Sequence, residues 1–181
     1  MGYGSVNPKN MMPTNLPQTP AEGQQKPLST DRVSSSIPTT SGATWKYPSP
    51  QQFFNALKRK EKNPEEDAMD SVVYVHNFVN EETWKKVLDW ELKQGCTEPS
   101  LLRFHGRSEE LSPLARVKQL WLGRPFDRHD WYIDRCGTGS VRYIIDYYDA
   151  PSEDGLDIQI DVRPALDSLS AAWTRMLRLF N

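Results

Sequence analysis

The chain has 181 residues, with 22 Lys and Arg against 24 Asp and Glu and a formal net charge of −2. That balance excludes a general nucleic-acid binder, which needs a basic excess to displace counterions from phosphates. No apolar run approaches the roughly 18 to 20 residues that span a bilayer, and the first 20 residues show neither the apolar stretch of a secretory signal nor the Arg content of an amphipathic presequence.

Residues 1–44 hold six of the 14 Pro, many Ser, Thr, Asn and Gln, and only Tyr3 of the 19 aromatics. Such a segment buries too little apolar surface to offset its ordering entropy, so it is expected as a disordered Pro/Ser-rich arm. All six Trp lie in residues 45–181, which are expected to form one folded domain.

At the start of that domain Ser49 and Pro50 form a helix start, with Phe53, Phe54 and Leu57 on one face. Lys58, Arg59, Lys60 and Lys62 follow, a combination that suits either a membrane-surface helix or a core-packed helix with a cationic C-terminus. Val72-Val73-Tyr74-Val75 reads as a strand leading into His76. Asn80 reads as the N-cap of the next helix, with Trp84, Val87, Leu88 and Leu92 on an apolar arc ending near Gly95. Glu81 and Glu91 fall on the same arc, where a carboxylate must find an Arg or Lys or face a polar ligand.

Ser100 to Phe104 reads as a short strand and Pro113 to Leu122 as a helix with Leu114, Val117, Leu120 and Trp121 on one side. Strands follow at Trp131 to Arg135, Val141 to Tyr148 and Ile158 to Val162, the first two joined by a turn at 136–140. In the middle strand Val141, Tyr143, Ile145 and Tyr147 share one face and Arg142, Ile144, Asp146 and Tyr148 the other. That second face could pair Arg142 or Arg163 with Asp146 or Asp161 across strands, or bind a carboxylate-bearing ligand. A last helix after Pro164 carries Leu166, Leu169, Trp173, Met176 and Phe180 as a core stripe. The fold class is therefore α+β: an antiparallel sheet from the second half of the chain, covered by helices, behind a disordered N-terminal arm.

No nucleophile–base pair, phosphate loop or dinucleotide motif is visible. Gly137-x-Gly139 lacks the third Gly and the following helix. Cys96 and Cys136 form no CxxC, and His76, His105 and His129 have no protein-only metal spacing. The residues alone point to an aromatic-rich domain for a flat apolar ligand with an anionic edge, with Arg for its acid groups and His for a central metal.

Long stretches carry a resemblance. Pro125-Phe126-Asp127-Arg128-His129-Asp130-Trp131, Asp134-Arg135-Cys136-Gly137-Thr138, Val141 through Asp149 and Asp161 through Ser168 resemble the mitochondrial cytochrome c haem lyases. Trp45-x-Tyr47-Pro48-Ser49, His76-Asn77 with Glu81-x-x-Trp84, Leu101-x-Arg103-Phe104 and Ser112-Pro113-x-Ala115-Arg116 fit the same family. Ser35-Ser36-Ile37-Pro38 does as well, so the similarity extends over essentially the whole chain. One departure is that the arm lacks the Cys-Pro dipeptides common in the family.

The resemblance implies an enzyme of the carbon–sulfur lyase class that joins haem b, with ferrous iron, to apocytochrome c through two thioether bonds. The alternative is a non-catalytic haem carrier or chaperone. It implies His76 as axial ligand, recognition of the substrate's N-terminal helix and CxxCH, and a peripheral place on the intermembrane-space side of the inner mitochondrial membrane. Glu81 is expected to order His76 or to cap its helix. Trp45, Tyr47, Trp84 and Trp131 are candidates to face haem, or else to pack the core. Arg135 and Arg142 could meet propionates or pair with Asp134 and Asp146. His129, between Asp127 and Asp130, is either an ion-paired structural residue or a ligand. Cys96 and Cys136 are not expected to form a disulfide required for activity.

Overall fold

The computed structural model describes residues 16–152, 155–167 and 175. Its elements are β1 (Ser34–Pro38), β2 (Thr44–Lys46), α1 (Pro50–Arg59), a 3-10 turn at Glu66–Ala68, α2 (Met69–Leu92), β3 (Ser100–Gly106), α3 (Pro113–Leu122), β4 (Asp127–Asp134), β5 (Ser140–Ser152) and β6 (Gly155–Pro164). The last three strands and β3 form one antiparallel sheet in the order β3-β4-β5-β6. The α+β architecture with an antiparallel sheet from the second half of the chain is thus observed. The helix expected after Pro164 falls on residues that, apart from Ala165, Leu166, Asp167 and Arg175, lie outside the described ones.

The boundary drawn at residue 44 falls inside a hairpin. Residues 1–15 lie outside the described residues, but β1 pairs with β2 across it. Ile37 of β1 is buried in the main core, and Thr39 bridges Leu101 of β3. Upstream, Asn55 of α1 donates to the carbonyls of Pro17 and Thr19 at 2.8 and 3.0 Å. Polar side chains of α1 thus hold a segment whose own apolar content is too low to reveal it.

Two layers flank the sheet. Trp84, Val87 and Trp90 of α2 pack on Leu101, Trp131, Ile133, Val141, Tyr143, Ile145, Tyr147 and Val162. The alternation expected for β5 is met, with its apolar face turned to α2. The opposite face carries Arg128, Asp130, Asp146 and Arg163, all buried, beside the N-terminus of α3. There Arg163 bonds Asp146 across the strands and Asp161 at 2.7 Å, and Ser112, the N-cap of α3, donates to Asp146 at 2.9 Å. Structural ion pairing therefore accounts for that group.

Two local readings change and one left open is decided. Val72–Val75 is not a strand but part of α2, because Met69, Val73, Asn80, Thr83, Trp84, Val87, Trp90 and Glu91 recur as buried positions of one 24-residue helix. The β preference of Val is a weak prior against such a continuous buried face. Asn80 is therefore an interior residue and not an N-cap. On α1, Phe54 is buried with Met69 and Val73, and Phe53 and Leu57 pack against that cluster, so this helix is core-packed with an exposed basic end. Its start is as expected, with a capping box between Ser49 and Gln52.

Cys96 and Cys136 are joined in a disulfide. The sequence separation of 40 concealed their proximity, which arises because the end of α2 meets the β4–β5 turn. Closing a loop of that length is worth about 4 kcal/mol of chain entropy. The Cys96→Ser/Cys136→Ser chain is expected to unfold at a correspondingly lower guanidinium midpoint. Equal midpoints for the oxidised and double-Ser chains would refute that contribution.

Candidate functional site

His76 projects from the first half of α2 into a nest of rings. Phe53 of α1 lies edge-on to it with centroids 5.0 Å apart, and Tyr47, just after β2, at 6.3 Å. Asn77 Oδ1 is 3.4 Å from Nδ1, and Asn80 Nδ2 is 3.4 and 3.5 Å from the two ring nitrogens. Asn80 also donates to the His76 carbonyl at 2.7 Å. Burial pushes the His76 pKa below its ordinary value of 6.5, with a smaller opposing push from Asn77 and an electrostatic push downward from His129. The imidazole is therefore neutral at neutral pH, the form that can ligate a metal.

A second set of rings on the sheet adjoins the first. His129 of β4 lies beside Asp127, with Nε2 3.2 Å from Oδ2, and its ring lies 5.5 Å from Tyr147 and 6.3 Å from Phe104. Phe104 in turn lies edge-on to Trp45 at 5.5 Å. Thr83, two turns beyond His76, meets the Tyr147 hydroxyl at 3.1 Å and so ties α2 to β5. Trp45 Nε1 and His129 Nδ1 are both buried without a hydrogen-bond partner among the described residues. Two unmet polar atoms in one aromatic cluster fit a ligand that is flat, apolar and polar-edged.

Glu81 binds neither a cation nor the imidazole, and as an interior residue of α2 it caps no helix, in contrast to the expectations from sequence. It accepts from Ser35 Oγ at 2.6 Å, Tyr47 Oη at 2.8 Å, the Ser36 amide at 3.2 Å and the Ser36 hydroxyl. Partial burial favours its protonated form, but these donors outweigh it and hold the Glu81 pKa below the usual carboxylate range. Glu81 thus ties β1 and Tyr47 to the helix turn after His76. Glu81→Gln is expected to cost about 1.5 to 3 kcal/mol, the value of a charged hydrogen-bond set. Faster amide exchange at Ser35–Ile37, with β4–β5 unchanged, would show it; unchanged exchange at β1 would refute it.

Of the remaining site residues inferred from sequence, Trp84 and Trp131 lie in the core between α2 and the sheet. Arg135 and Arg142 have different partners from those expected. Arg135 grips the fully buried Glu91 with Nε and Nη2 at 2.7 and 2.8 Å, and Tyr143 donates to the same carboxylate. Arg142 bridges Asp130 at 2.7 Å and Asp167 at 2.5 Å. Strand geometry explains the difference, since neighbours such as Asp134 and Arg135 point to opposite faces, while Arg142 and Asp146 stand about 13 Å apart along one strand. Phe53, Asp127, Asn80 and Tyr147 were read in the sequence as structural residues and not as part of the site. Asn80 was legible only with α2 read as continuous, because i and i+4 then share a face.

Among the described residues no set of three or more His, Cys, Asp or Glu forms a protein-only metal site, and no helix is long and apolar enough to cross a membrane. A family model described as cytochrome c/c1 heme lyase matches residues 2–179. The holocytochrome c-type synthase of Bos taurus is 47% identical over 193 residues, covering 97% of this chain and 69% of that protein. The human holocytochrome c-type synthase is also 47% identical, covering 97% and 71%. The holocytochrome-c synthase of Saccharomyces cerevisiae is 41% identical over 206 residues, covering 97% and 76%. No solved structure matches.

Proposed function

The chain belongs to the cytochrome c/c1 heme lyase family and attaches haem to apocytochrome c, and we propose that the aromatic nest around His76 is where it holds the haem. The single observation that carries this reading is a partly buried imidazole, held neutral by that burial and set between the rings of Phe53 of α1 and Tyr47 just after β2. In this reading His76 is the axial ligand of haem b in its ferrous state, with the reductant supplied from outside. Trp45, Tyr47 and His129 border the porphyrin, and the unmet Nε1 of Trp45 and Nδ1 of His129 face its polar edge. Trp84 and Trp131 support the nest from the core, while Arg135 and Arg142 hold the fold through ion pairs away from it. Glu81 positions the His76 turn and β1.

The chain has no CxxCH of its own, so the reacting thiols come from the substrate. Each cysteine adds across one haem vinyl group: sulfur bonds to one vinyl carbon and the thiol hydrogen ends on the other, without net electron transfer. Holding the vinyl edge beside the incoming thiol supplies the orientation term, which reaches an effective molarity on the order of 10⁵ M or more. The substrate's CxxCH histidine takes the opposite axial position, and its N-terminal helix is recognised with it. The exposed Lys58, Arg59, Lys60 and Lys62 at the end of α1 suit an anionic membrane surface, which fits peripheral attachment on the intermembrane-space side of the inner mitochondrial membrane. Reconstitution with reduced haem and apocytochrome c tests the reading. Haem that stays on the cytochrome through acid–acetone extraction is the expected result, and complete extraction would leave only a carrier.

A further inference from the structure

α3 turns its apolar side to solvent. Of its 10 residues only Ala115 is buried, while Val117, Leu120 and Trp121 are 50, 79 and 65% exposed. At about 100° per residue these three share an arc roughly opposite Ala115. The layer beneath the helix explains the inversion. Arg128, Asp130, Asp146 and Arg163 are buried there in ion pairs. On a layer so charged the helix sets its smallest side chain, Ala115, and it is held by polar ties. Ser112 at its N-terminus donates to Asp146 at 2.9 Å, and Lys118 donates to Asp161 at 2.6 Å. The apolar arc is thus not a core face that has lost its cover.

The charge around that arc has one sign. Residues 112–126 include Arg116, Lys118 and Arg124 and no Asp or Glu. Arg116, which flanks the arc, and Arg124, just beyond the end of α3, are both exposed. Phe126, 48% exposed, extends the apolar surface past Pro125. Exposed Trp and Leu beside cations, with no carboxylate among them, suit a helix lying in a bilayer interface. There the apolar arc sinks to the boundary of headgroups and acyl chains, the indole sits at headgroup level, and guanidinium groups meet lipid phosphates. A second copy of the chain fits less well. Packed about a two-fold axis it would set Arg116 and Arg124 against their own copies.

We propose that α3, with Phe126, is the element that seats the chain on an anionic lipid bilayer, lying in the plane of its surface. The proposal rests on the reading of peripheral membrane attachment and supplies what the cations at the end of α1 lack, an apolar anchor.

The full chain and its Leu120→Ser/Trp121→Ser, Arg116→Gln/Arg124→Gln and Lys58→Glu/Lys60→Glu variants are cosedimented with vesicles of phosphatidylcholine and phosphatidylglycerol in equal parts. Affinity is expected to fall at least tenfold for the Leu120/Trp121 variant and severalfold for the Arg116/Arg124 variant. Added salt should narrow the second difference more than the first. Without vesicles, the Tm and the KM for apocytochrome c of both α3 variants should match those of the unmodified chain. Unchanged vesicle affinity in the Leu120/Trp121 variant overturns the proposal. If the Lys58/Lys60 variant alone loses affinity, the attachment stands and belongs to α1. Failure of the unmodified chain to bind these vesicles overturns the attachment itself. A KM raised in the absence of vesicles overturns the proposal in favour of a polypeptide on this face, and a Tm lowered by several degrees in favour of a cover supplied by the chain itself.

Discussion

His76→Ala is expected to abolish the Soret band of the haem-loaded protein and to lower thioether product about 10³-fold or more. In the proposed reading the substitution removes the imidazole that fixes the porphyrin, and with it most of the orientation that makes vinyl and thiol meet. The fold should survive, because the continuous buried face of α2 runs through Met69, Val73, Trp84 and Val87 and does not depend on this side chain. Added imidazole should restore part of the band by filling the vacated position. Retained haem affinity in the variant would refute the ligand assignment. Acidification gives an independent readout. Burial holds the folded imidazole below the ordinary value of 6.5, so it stays neutral, and haem stays bound, as pH falls through 6.5. Binding should fail only lower, near the depressed value. In the unfolded chain the same histidine protonates near 6.5. Its contribution to stability is thus fully present above that pH and is lost as pH falls through the folded value.

Arg135→Ala is expected to destabilise the fold by about 3 to 5 kcal/mol, because it strands the fully buried Glu91 carboxylate. Against a total stability of about 5 to 15 kcal/mol this is a large fraction, equivalent to a fall in Tm of roughly 6 to 20 °C. Haem chemistry is not the direct target, since Glu91 and Arg135 join α2 to the β4–β5 turn. The double substitution Glu91→Leu/Arg135→Met should recover much of the loss by replacing two charges with apolar volume. A Tm within about two degrees of the original for Arg135→Ala alone would show that the pair contributes little.

The second half of the fold was legible because its signals are local. Alternation in β5 and β6, turn residues at 136–140 and a capped α3 all act within a few positions, and all four sheet strands form where expected. His76 was legible through the motif around it, but its surroundings were not. Four residues rich in Val outweighed, on local preference, a buried stripe that becomes visible only over 24 residues. Glu81 was recognised as needing a partner. Its donors came from Ser35 and Ser36, in a segment whose composition suggested no structure, and side-chain hydrogen bonds across 45 and 46 residues leave no periodic trace. The partners of Arg135 and Arg142 were misplaced for the same reason, since sequence proximity in a strand is not proximity of side chains.

The disulfide between Cys96 and Cys136 and the Glu91–Arg135 pair occupy the same corner of the molecule. One is covalent and the other ionic, and they clamp one end of α2 to the turn between β4 and β5. The helix is thus mounted like a cantilever, with its fixed end at that corner and His76 some 22 Å along the beam from Glu91. Softer ties brace the far portion: hydroxyl contacts at Glu81 and Thr83, and ring edges at Phe53. The covalent and ionic anchors thus lie away from His76, so in the proposed reading a finished cytochrome departs from a part of the helix held by those softer ties alone while the mounting stays in place.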